Sequence, residues 1–272
     1  MSTQENILRR VLQENSRTFA IPIMRLPNKL RESILLAYLC MRGLDEIEDH
    51  AALDNPTKVL LLRQISANLQ AYPFSKSNSK PKSLEAIFSP YKSKLPEVTI
   101  KMDKWLSSLP LEIAPRIVDA TSSMADRMAF WAERNWLIEN EADLNGYTFS
   151  VAGTVGLLIC DIWAWFEGTQ LDRSCAVNFG RALQSVNILR NREDDIQRKV
   201  DFYPVGWGKK EVLLYARRQV DYVKSGIGSI PGNAYQFLVR IPLTLAEATL
   251  DAIERGEKKL TRDQVLSITA QE

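Results

Sequence analysis

Apolar residues recur at intervals of three and four along most of this chain, which is the period of one face of an α-helix. Alternating runs bounded by hairpin turns, the mark of β-strands, are nearly absent. The pattern therefore predicts an all-α protein with several helices long enough to cross a domain. Allowing ~2 to 4 residues at each boundary, we predict helices at about residues 4–14, 28–52, 57–71, 111–139, 142–167, 172–200, 209–226 and 232–255.

The polar segment YPFSKSNSKPKS, residues 72–83, interrupts this helical pattern. It is rich in Ser, Pro and Lys and has no apolar period, so we predict a loop that links two halves of one bundle. The 272 residues, 45% of them hydrophobic, are enough for one large domain or two small ones. We predict a single domain over residues 1–272.

The formal net charge of +2 is nearly balanced, which argues against bulk electrostatic binding of nucleic acid or of an anionic membrane. Cys40, Cys160 and Cys175 lie far apart in apolar sequence and are expected to be buried free thiols of a reducing compartment. The amino terminus has no signal-peptide core, and the longest apolar stretch contains Asp161 and two glycines. We expect a soluble cytoplasmic protein with no nucleic-acid partner and no transmembrane segment, and peripheral membrane contact stays open.

The acidic stretch MRGLDEIEDH, residues 41–50, follows an apolar run that is typical of a buried helix. Asp45 and Asp49 are four residues apart, which places them on one helical face together with Tyr38 and Arg42. Two inward carboxylates at this spacing repel each other unless they share a proton or bind a cation. Hard oxygen ligands without nearby Cys or His favour Mg²⁺ over zinc. A solvated acidic face is the alternative.

A second polar stripe lies in QSVNILRNREDDIQRKVDFYP, residues 184–204. Gln184, Asn187, Asn191 and Asp195 recur at intervals of three and four among apolar neighbours, a costly arrangement unless the stripe binds something. Two such helices facing each other would leave a gap for cations and a polyphosphate, with nearby arginines to donate to phosphate oxygens. An exposed helix held by salt bridges is the alternative.

Four motifs in order and spacing resemble those of the squalene and phytoene synthase family, and most nearly its squalene synthases. The motifs are SRTFA at residues 16–20, YLCMRGLDEIED at 38–49, YTFSVAGTVG at 147–156 and LQSVNILRNREDD with DFYP at 183–204. The resemblance covers nearly the whole chain. It implies the class I isoprenoid synthase fold, an all-α helical bundle around a central prenyl-binding cavity.

The resemblance also implies roles for individual residues. Asp45, Asp49 and Asp195 would hold Mg²⁺ ions that bridge to an allylic diphosphate, and Asn191 would complete the metal ligands. Tyr147 would lie beside the reacting carbons, where a phenol stabilises a carbocation or passes a proton. The predicted substrate-binding residues are Ser16, Arg17, Phe19, Arg42, Gln184, Asn187 and Arg190.

This sequence departs from the family pattern at two positions. Asn191 stands where the second motif begins with Asp, which keeps a carbonyl oxygen but removes one negative charge. Val200 stands where squalene synthases carry Arg, although Arg198 and Lys199 precede it. Terpene cyclases of the same fold often use Asn in their second metal motif, so the first departure is compatible with an altered product.

Three functions are consistent with these motifs. The first is head-to-head condensation of two farnesyl diphosphates to presqualene diphosphate, squalene or a related product. The second is a divergent cyclase or prenyltransferase that uses a single prenyl diphosphate. The third is a non-catalytic binding or assembly module, which retention of the Asp motifs disfavours. Mg²⁺ is the expected cofactor; the chain has no Gly-rich dinucleotide fingerprint, and NADPH use stays open because squalene synthases bind it without a Rossmann domain.

Several other residues have ordinary structural explanations beside functional ones. The aromatics at residues 130, 131, 136, 163 and 165 would line a prenyl tunnel or simply fill a core. Gly153 and Gly156 would admit a prenyl chain or allow close helix packing. His50, the single histidine, is interpreted as a helix-end residue.

Overall fold

The fold is described from a computed structural model that covers residues 10–11, 17–71, 83–227, 233–257 and 259–271. All regular structure in these ranges is helical, which confirms the predicted all-α class. The chain divides into two compact units, one of residues 1–20 and 28–135 and the other of residues 21–27 and 136–272. The single-domain assignment stays a prediction.

The first described helix is α1 (Arg17–Met24), and the helices that follow it as far as Glu133 lie in the first unit. A 3₁₀ turn, Ser89–Tyr91, follows the helix that ends at Phe88. The helices are α2 (Asn28–Glu48), α3 (Asn55–Gln70), α4 (Glu85–Phe88), α5 (Glu97–Ile100), α6 (Met102–Ser107) and α7 (Ala114–Glu133).

Helices α3 and α7 pack along their apolar faces, and two buried serines form a polar contact between them. The hydroxyls of Ser66 and Ser122 lie 3.2 Å apart, and Ser122 Oγ donates to the Ser66 carbonyl at 3.0 Å. Both serines are buried, so these bonds satisfy polar groups that would otherwise be desolvated without a partner. The contact fixes the register of α3 against α7.

Two side-chain contacts hold the carboxyl-terminal part of α2 in the first unit. Thr99 Oγ1 donates to the Gly43 carbonyl at 2.9 Å, and a Cβ at Gly43 would lie 3.0 Å from the Met102 side chain. Near the end of the helix, the buried Lys58 donates to the Glu48 carbonyl at 2.6 Å. Lys58 therefore satisfies a helix-terminal carbonyl that has no partner within the helix.

The second unit contains a π-helix and the remaining α-helices. The π-helix, Phe149–Gly153, lies between two segments that the sequence pattern had predicted as one continuous helix. The helices are α8 (Glu141–Thr148), α9 (Thr154–Glu167), α10 (Arg173–Gln197), α11 (Lys209–Ile227), α12 (Asn233–Glu254) and α13 (Arg262–Gln271).

Close backbone packing joins α10 to the π-helix and to α9. A Cβ at Gly156 would lie 2.1 Å from the Ala176 carbonyl oxygen, and a Cβ at Gly180 would lie 2.2 Å from that of Ala152. No larger side chain fits at either glycine without moving backbone. The prediction of close helix packing is therefore confirmed for Gly156.

The end of α10 is defined by backbone geometry. Lys199 has a positive φ of 63°, the Lys199 N–H donates to the Ile196 carbonyl at 2.9 Å, and the Val200 N–H donates to the Asp195 carbonyl at 3.0 Å. This pattern is a Schellman motif, with the buried Val200 as its apolar residue. Val200 thus has a local structural role in ending the helix.

Most predicted helices are confirmed to within a few residues, and four differences are clear. The helix predicted at 111–139 ends at Glu133, the helix predicted at 28–52 ends at Glu48, and the helix predicted at 142–167 contains the π-helix. The short helices between residues 85 and 107, together with α1 and α13, were not predicted. Most of the helix predicted at 4–14 and most of the loop predicted at 72–83 lie outside the described residues.

The three cysteines are buried and free, as predicted. Burial raises the pKa of the Cys40 thiol to about 12 and, as the largest effect, that of Cys160 to about 11. The segment Glu141–Glu167 has the length and mean hydropathy of a membrane span, with 44% of its most apolar window buried. Core helices of soluble proteins have the same property, and this segment packs closely against α10.

The aromatic side chains divide between core and surface. Trp131, Trp136 and Trp163 are buried, in agreement with a core role. Phe130 is 45% exposed and lies 5.5 Å from the Arg134 guanidinium carbon, so a place inside a tunnel is wrong for this ring.

Candidate active site

The first group of predicted site residues lies near the end of α2. Arg42 forms a salt bridge with Asp45, with Nη1 3.6 Å from Oδ2, and another with Glu46. Burial lowers the pKa of Arg42, but the neighbouring carboxylates outweigh this effect and the pKa is raised. The buried Nε of Arg42 has no hydrogen-bond partner in the described part of the chain. One donor of this guanidinium is therefore buried without a hydrogen bond among the described residues.

Asp45 carries the most unfavourable charge in this cluster. Its side chain is 34% exposed. Burial is the largest effect on the pKa of Asp45 and raises it. The nearby carboxylates of Asp49 and Glu46 raise this pKa further and Arg42 lowers it, so the pKa of Asp45 is about 7. Near neutral pH the carboxylate is therefore poorly compensated, which is the condition that a bound cation relieves.

Asp49 lies one turn further along, and its backbone N–H donates to the Asp45 carbonyl at 2.8 Å. Asp49 is exposed, so the expectation that both carboxylates point inward is correct only for the half-buried Asp45. His50 follows the helix, as predicted: Nε2 lies 3.0 Å from the Lys94 carbonyl oxygen, and Nδ1 accepts from the Ala52 N–H. These bonds give His50 a structural role at the helix end.

Residues of the SRTFA motif lie at the start of α1, and the structure describes them only in part. Ser16 lies outside the described residues, and only the backbone of Arg17 is described. Phe19 is half-buried, and its ring centroid lies 6.2 Å from that of Tyr38 on α2. Phe19 is therefore near the helix that carries the acidic residues.

Tyr147 lies in α8, two residues before the start of the π-helix. It is 2% exposed and stacks on Phe202, with ring centroids 4.5 Å apart and an interplanar angle of 18°. π-Helices insert one residue into a helical turn and are frequent at functional sites. The sequence pattern did not identify Phe202, although DFYP marks its position, because stacking between distant segments has no periodic signal.

The second polar stripe lies on α10 as predicted. Gln184, Asn187 and Asn191 are half-buried, while Asp195 is only 7% exposed. Asp195 forms a salt bridge with Arg198 one turn later. The stripe therefore exists in the structure, with its carboxylate at the carboxyl-terminal end of the helix.

Arg190 is bound by two residues of this stripe. Its Nη2 donates to Asn187 Oδ1 at 3.0 Å, and its Nε donates to Asn191 Oδ1 at 3.1 Å. Neither partner carries a charge, and desolvation lowers the pKa of Arg190. The amide oxygen of Asn191 thus accepts from the Arg190 guanidinium, whose two side-chain hydrogen bonds among the described residues go to neutral groups.

The donor atoms are compatible with Mg²⁺. Asp45, Asp49, Asn191 and Asp195 all offer hard oxygen ligands. In the described part of the chain, no three His, Cys, Asp or Glu residues come together as a metal site. Mg²⁺ commonly binds through only one or two carboxylates, with substrate phosphates and waters as its other ligands. A site with fewer than three acidic residues is therefore compatible with Mg²⁺.

Comparisons with known proteins agree with the fold and the motifs. The sequence profile of the squalene/phytoene synthase family matches residues 12–211. Squalene synthase of Schizosaccharomyces pombe is 33% identical over 215 residues, which is 74% of this chain and 44% of that protein. Squalene synthase of Gibberella zeae is 32% identical over 286 residues, which is 93% of this chain and 60% of that protein. The chain thus spans about half the length of these curated relatives.

Solved structures show the same architecture. A ligand complex of TcSQS has a TM-score of 0.75 at 22% identity and covers 97% of this chain and 85% of that one. A dehydrosqualene synthase complex has a TM-score of 0.66 at 16% identity and covers 98% and 94%. The protein has the all-α isoprenoid synthase fold. It belongs to the squalene/phytoene synthase family.

The raised pKa of Asp45 predicts a stability gain from its neutral isostere. Because the pKa rises from 3.8 to about 7 in the folded protein, the folded state binds more protons than the unfolded state between these values, and stability falls as pH rises through them. In metal-free buffer we expect Asp45→Asn to raise the free energy of unfolding by about 1 to 2 kcal/mol at pH 8, a value reduced for solvent screening.

Urea denaturation at pH 8 and pH 4.5 measures this effect, with the exposed Asp119→Asn as a control in α7. The gain should shrink at pH 4.5, where Asp45 is protonated, and the control should change stability by less than about 0.5 kcal/mol. An equal gain at both pH values would show that charge is not its cause.

Proposed function

We propose that the chain is an Mg²⁺-dependent prenyl diphosphate synthase that condenses two farnesyl diphosphates head to head into presqualene diphosphate or a squalene-type product. Membership of the family supports this proposal. The observation that carries it is the charge arrangement at the end of α2, where Asp45, Glu46 and Asp49 lie beside the partly satisfied guanidinium of Arg42.

In the first step of this reaction, the protein must stabilise the diphosphate that leaves the prenyl chain. Mg²⁺ held by Asp45 and Asp49 would supply Lewis acidity to the diphosphate oxygens. Arg42 contacts Asp45 and has a buried Nε without a partner in the described part of the chain, so its guanidinium is placed to donate to an anion beside the metal ligands. The carboxylates of Asp45 and Asp49 would therefore hold the metal while the Arg42 guanidinium on the same helix binds the diphosphate.

Residues on α10 are suited to the same class of ligand. Arg190 is oriented by the amide oxygens of Asn187 and Asn191, neither of which neutralises it. A planar guanidinium oriented in advance loses little side-chain entropy when it binds phosphate oxygens. We assign Gln184, Asn187 and Arg190 to diphosphate binding and Asp195 to the metal.

The carbon chemistry is assigned to the apolar region around Tyr147. Ionisation of an allylic diphosphate leaves a cation that water would capture, so the reacting carbons must be enclosed by apolar and aromatic groups. Tyr147 is almost fully buried and stacked on a second ring. Its electron-rich face would stabilise the cation, and its hydroxyl would hold or pass a proton.

A single-substrate reaction is the second candidate, and Asn191 is the observation that favours it. The second motif has one carboxylate fewer than the family pattern, and the Asn191 oxygen accepts from Arg190. A weaker metal site on α10 would suit a reaction in which only one diphosphate ionises. Product analysis distinguishes the two reactions.

Incubation with farnesyl diphosphate, followed by gas chromatography of the products, tests the proposal. We expect a C30 product that requires Mg²⁺, and a comparison with and without NADPH shows whether the reaction stops at presqualene diphosphate. Asp49→Ala should lower turnover by about two orders of magnitude or more, while Asp119→Ala keeps wild-type turnover and both keep the helical circular dichroism spectrum. A C15 product alone would establish the single-substrate reaction. Full activity of Asp49→Ala would show that Asp49 is not a metal ligand.

The Asn191→Asp variant tests the departure on α10. If Asn191 is a weakened metal ligand in a head-to-head synthase, the added charge should lower the Mg²⁺ concentration for half-maximal rate and leave the product unchanged. If its oxygen serves to orient Arg190, the new carboxylate neutralises that guanidinium, and the KM for the prenyl diphosphate should rise several-fold. Steady-state titrations of metal and substrate separate these results, and no change in either would exclude Asn191 from both roles.

A further inference from the structure

Residues 198–208 follow α10 as irregular chain, so their path depends on specific contacts. The Schellman motif at Lys199 and Val200 turns the backbone away from α10. Further on, the Val205 N–H donates to the Ile138 carbonyl at 3.1 Å and the Trp207 N–H donates to the Pro204 carbonyl at 2.9 Å. Between these two anchors lie Asp201, Phe202 and Tyr203.

Arg192 on α10 binds the middle of this segment with both arms of its guanidinium. Nη2 donates to Asp201 Oδ2 at 2.8 Å and Nε donates to Asp201 Oδ1 at 3.3 Å. The Asp201 hydrogen bond also raises the pKa of Arg192. Bidentate pairing fixes the carboxylate in orientation as well as in position, which a single contact does not.

The same two residues fix the backbone around Phe202. Asp201 Oδ1 accepts from the Tyr203 N–H at 3.1 Å, which closes a local turn around Phe202. The Arg192 guanidinium carbon lies 3.9 Å from the centroid of the Tyr203 ring, a stacking distance. Both sequence neighbours of Phe202 are therefore attached to one side chain of α10.

This attachment directs Phe202 into the second unit. Its ring is 6% exposed and lies nearly parallel to Tyr147 at 4.5 Å. A ring stacked in this way covers one face of the phenol and restricts its tilt. The position of the Phe202 ring, which restricts Tyr147, thus depends on the pair formed by Arg192 and Asp201.

We propose that Arg192 and Asp201 are positioning residues that hold Phe202 against Tyr147 and so fix the phenol for the reaction. The proposal rests on the proposed function for what the phenol does, but the ring contact is independent of any substrate. Arg192 and Asp201 are 36% and 41% exposed, and pairs with that exposure contribute little to global stability. We therefore expect this pair to affect the position of the Phe202 ring more than the stability of the protein.

A matched set of variants tests this proposal. Arg192→Met removes the guanidinium but keeps a long apolar side chain, and Phe202→Leu removes the ring that the pair holds. Arg173→Met is the control, since it breaks another surface ion pair of the second unit, with Asp161 at 2.6 Å. All three are compared with the wild-type protein by thermal unfolding, by steady-state kinetics and by NMR of ¹³C-labelled tyrosine, with the Tyr147 signal assigned from Tyr147→Phe.

We expect Arg192→Met to move the Tyr147 ring resonance toward its position in Phe202→Leu, because the ring current of Phe202 is displaced. The turnover number should fall roughly tenfold, as expected for a small misplacement of a reacting group, while KM changes less than about twofold and the control stays at wild-type values. The double variant Arg192→Met/Phe202→Leu should be no slower than Phe202→Leu, since Arg192 acts through Phe202.

Each alternative result is informative. A Tyr147 resonance unchanged by Arg192→Met overturns the proposal, because the pair then does not hold the ring. A displaced resonance with wild-type turnover also overturns it, because the stacking then does not serve the reaction. If the wild-type protein makes no product from any prenyl diphosphate, the proposed function fails, and the NMR comparison alone decides whether the pair positions Phe202.

Discussion

Negative charge at the end of α2 is the constraint on which the account of this protein depends. Asp45, Glu46 and Asp49 lie within two helical turns, and Arg42 is the cation whose pairing with them is seen. A half-buried carboxyl in such surroundings is disfavoured as an anion, and the pKa of Asp45 rises to about 7. The arrangement is unfavourable for the folded protein alone and favourable for binding a divalent cation.

The first unit supports this acidic helix end with specific contacts. Thr99 and Lys58 both donate to carbonyls of α2, and the Lys58 ammonium is buried at the end where the acidic residues cluster. A cation near a helix carboxyl terminus also interacts favourably with the helix dipole. Packing therefore offsets part of the cost of keeping carboxylates close together.

The second unit has a different balance of charge. On α10 the carboxylate of Asp195 is paired with Arg198, while the Arg190 guanidinium is bound by neutral amides. Under the proposed function, the carboxylates at the end of α2 would bind the metal ion, and Arg190 on α10 would bind a phosphate oxygen.

Sequence reasoning predicted the features that follow from periodicity or from motif spacing. The long helices and the polar stripe from Gln184 to Asp195 are present because amphipathic patterns determine which face is buried. The π-helix at Phe149–Gly153 was missed, since the insertion has no periodic signal, and it lies where the backbones of Gly180 and Ala152 approach closely. The stacking of Phe202 on Tyr147 was missed because it joins segments 55 residues apart in sequence.

The role of the α2 carboxylates is tested by the binding of an unreactive farnesyl thiodiphosphate, measured by isothermal titration calorimetry with and without Mg²⁺. We expect Mg²⁺ to strengthen binding by at least about tenfold in the wild-type protein and to have little effect in Asp45→Ala. Binding that is equally strong without Mg²⁺, or equally Mg²⁺-dependent in Asp45→Ala, would contradict the assignment of the α2 carboxylates to the metal.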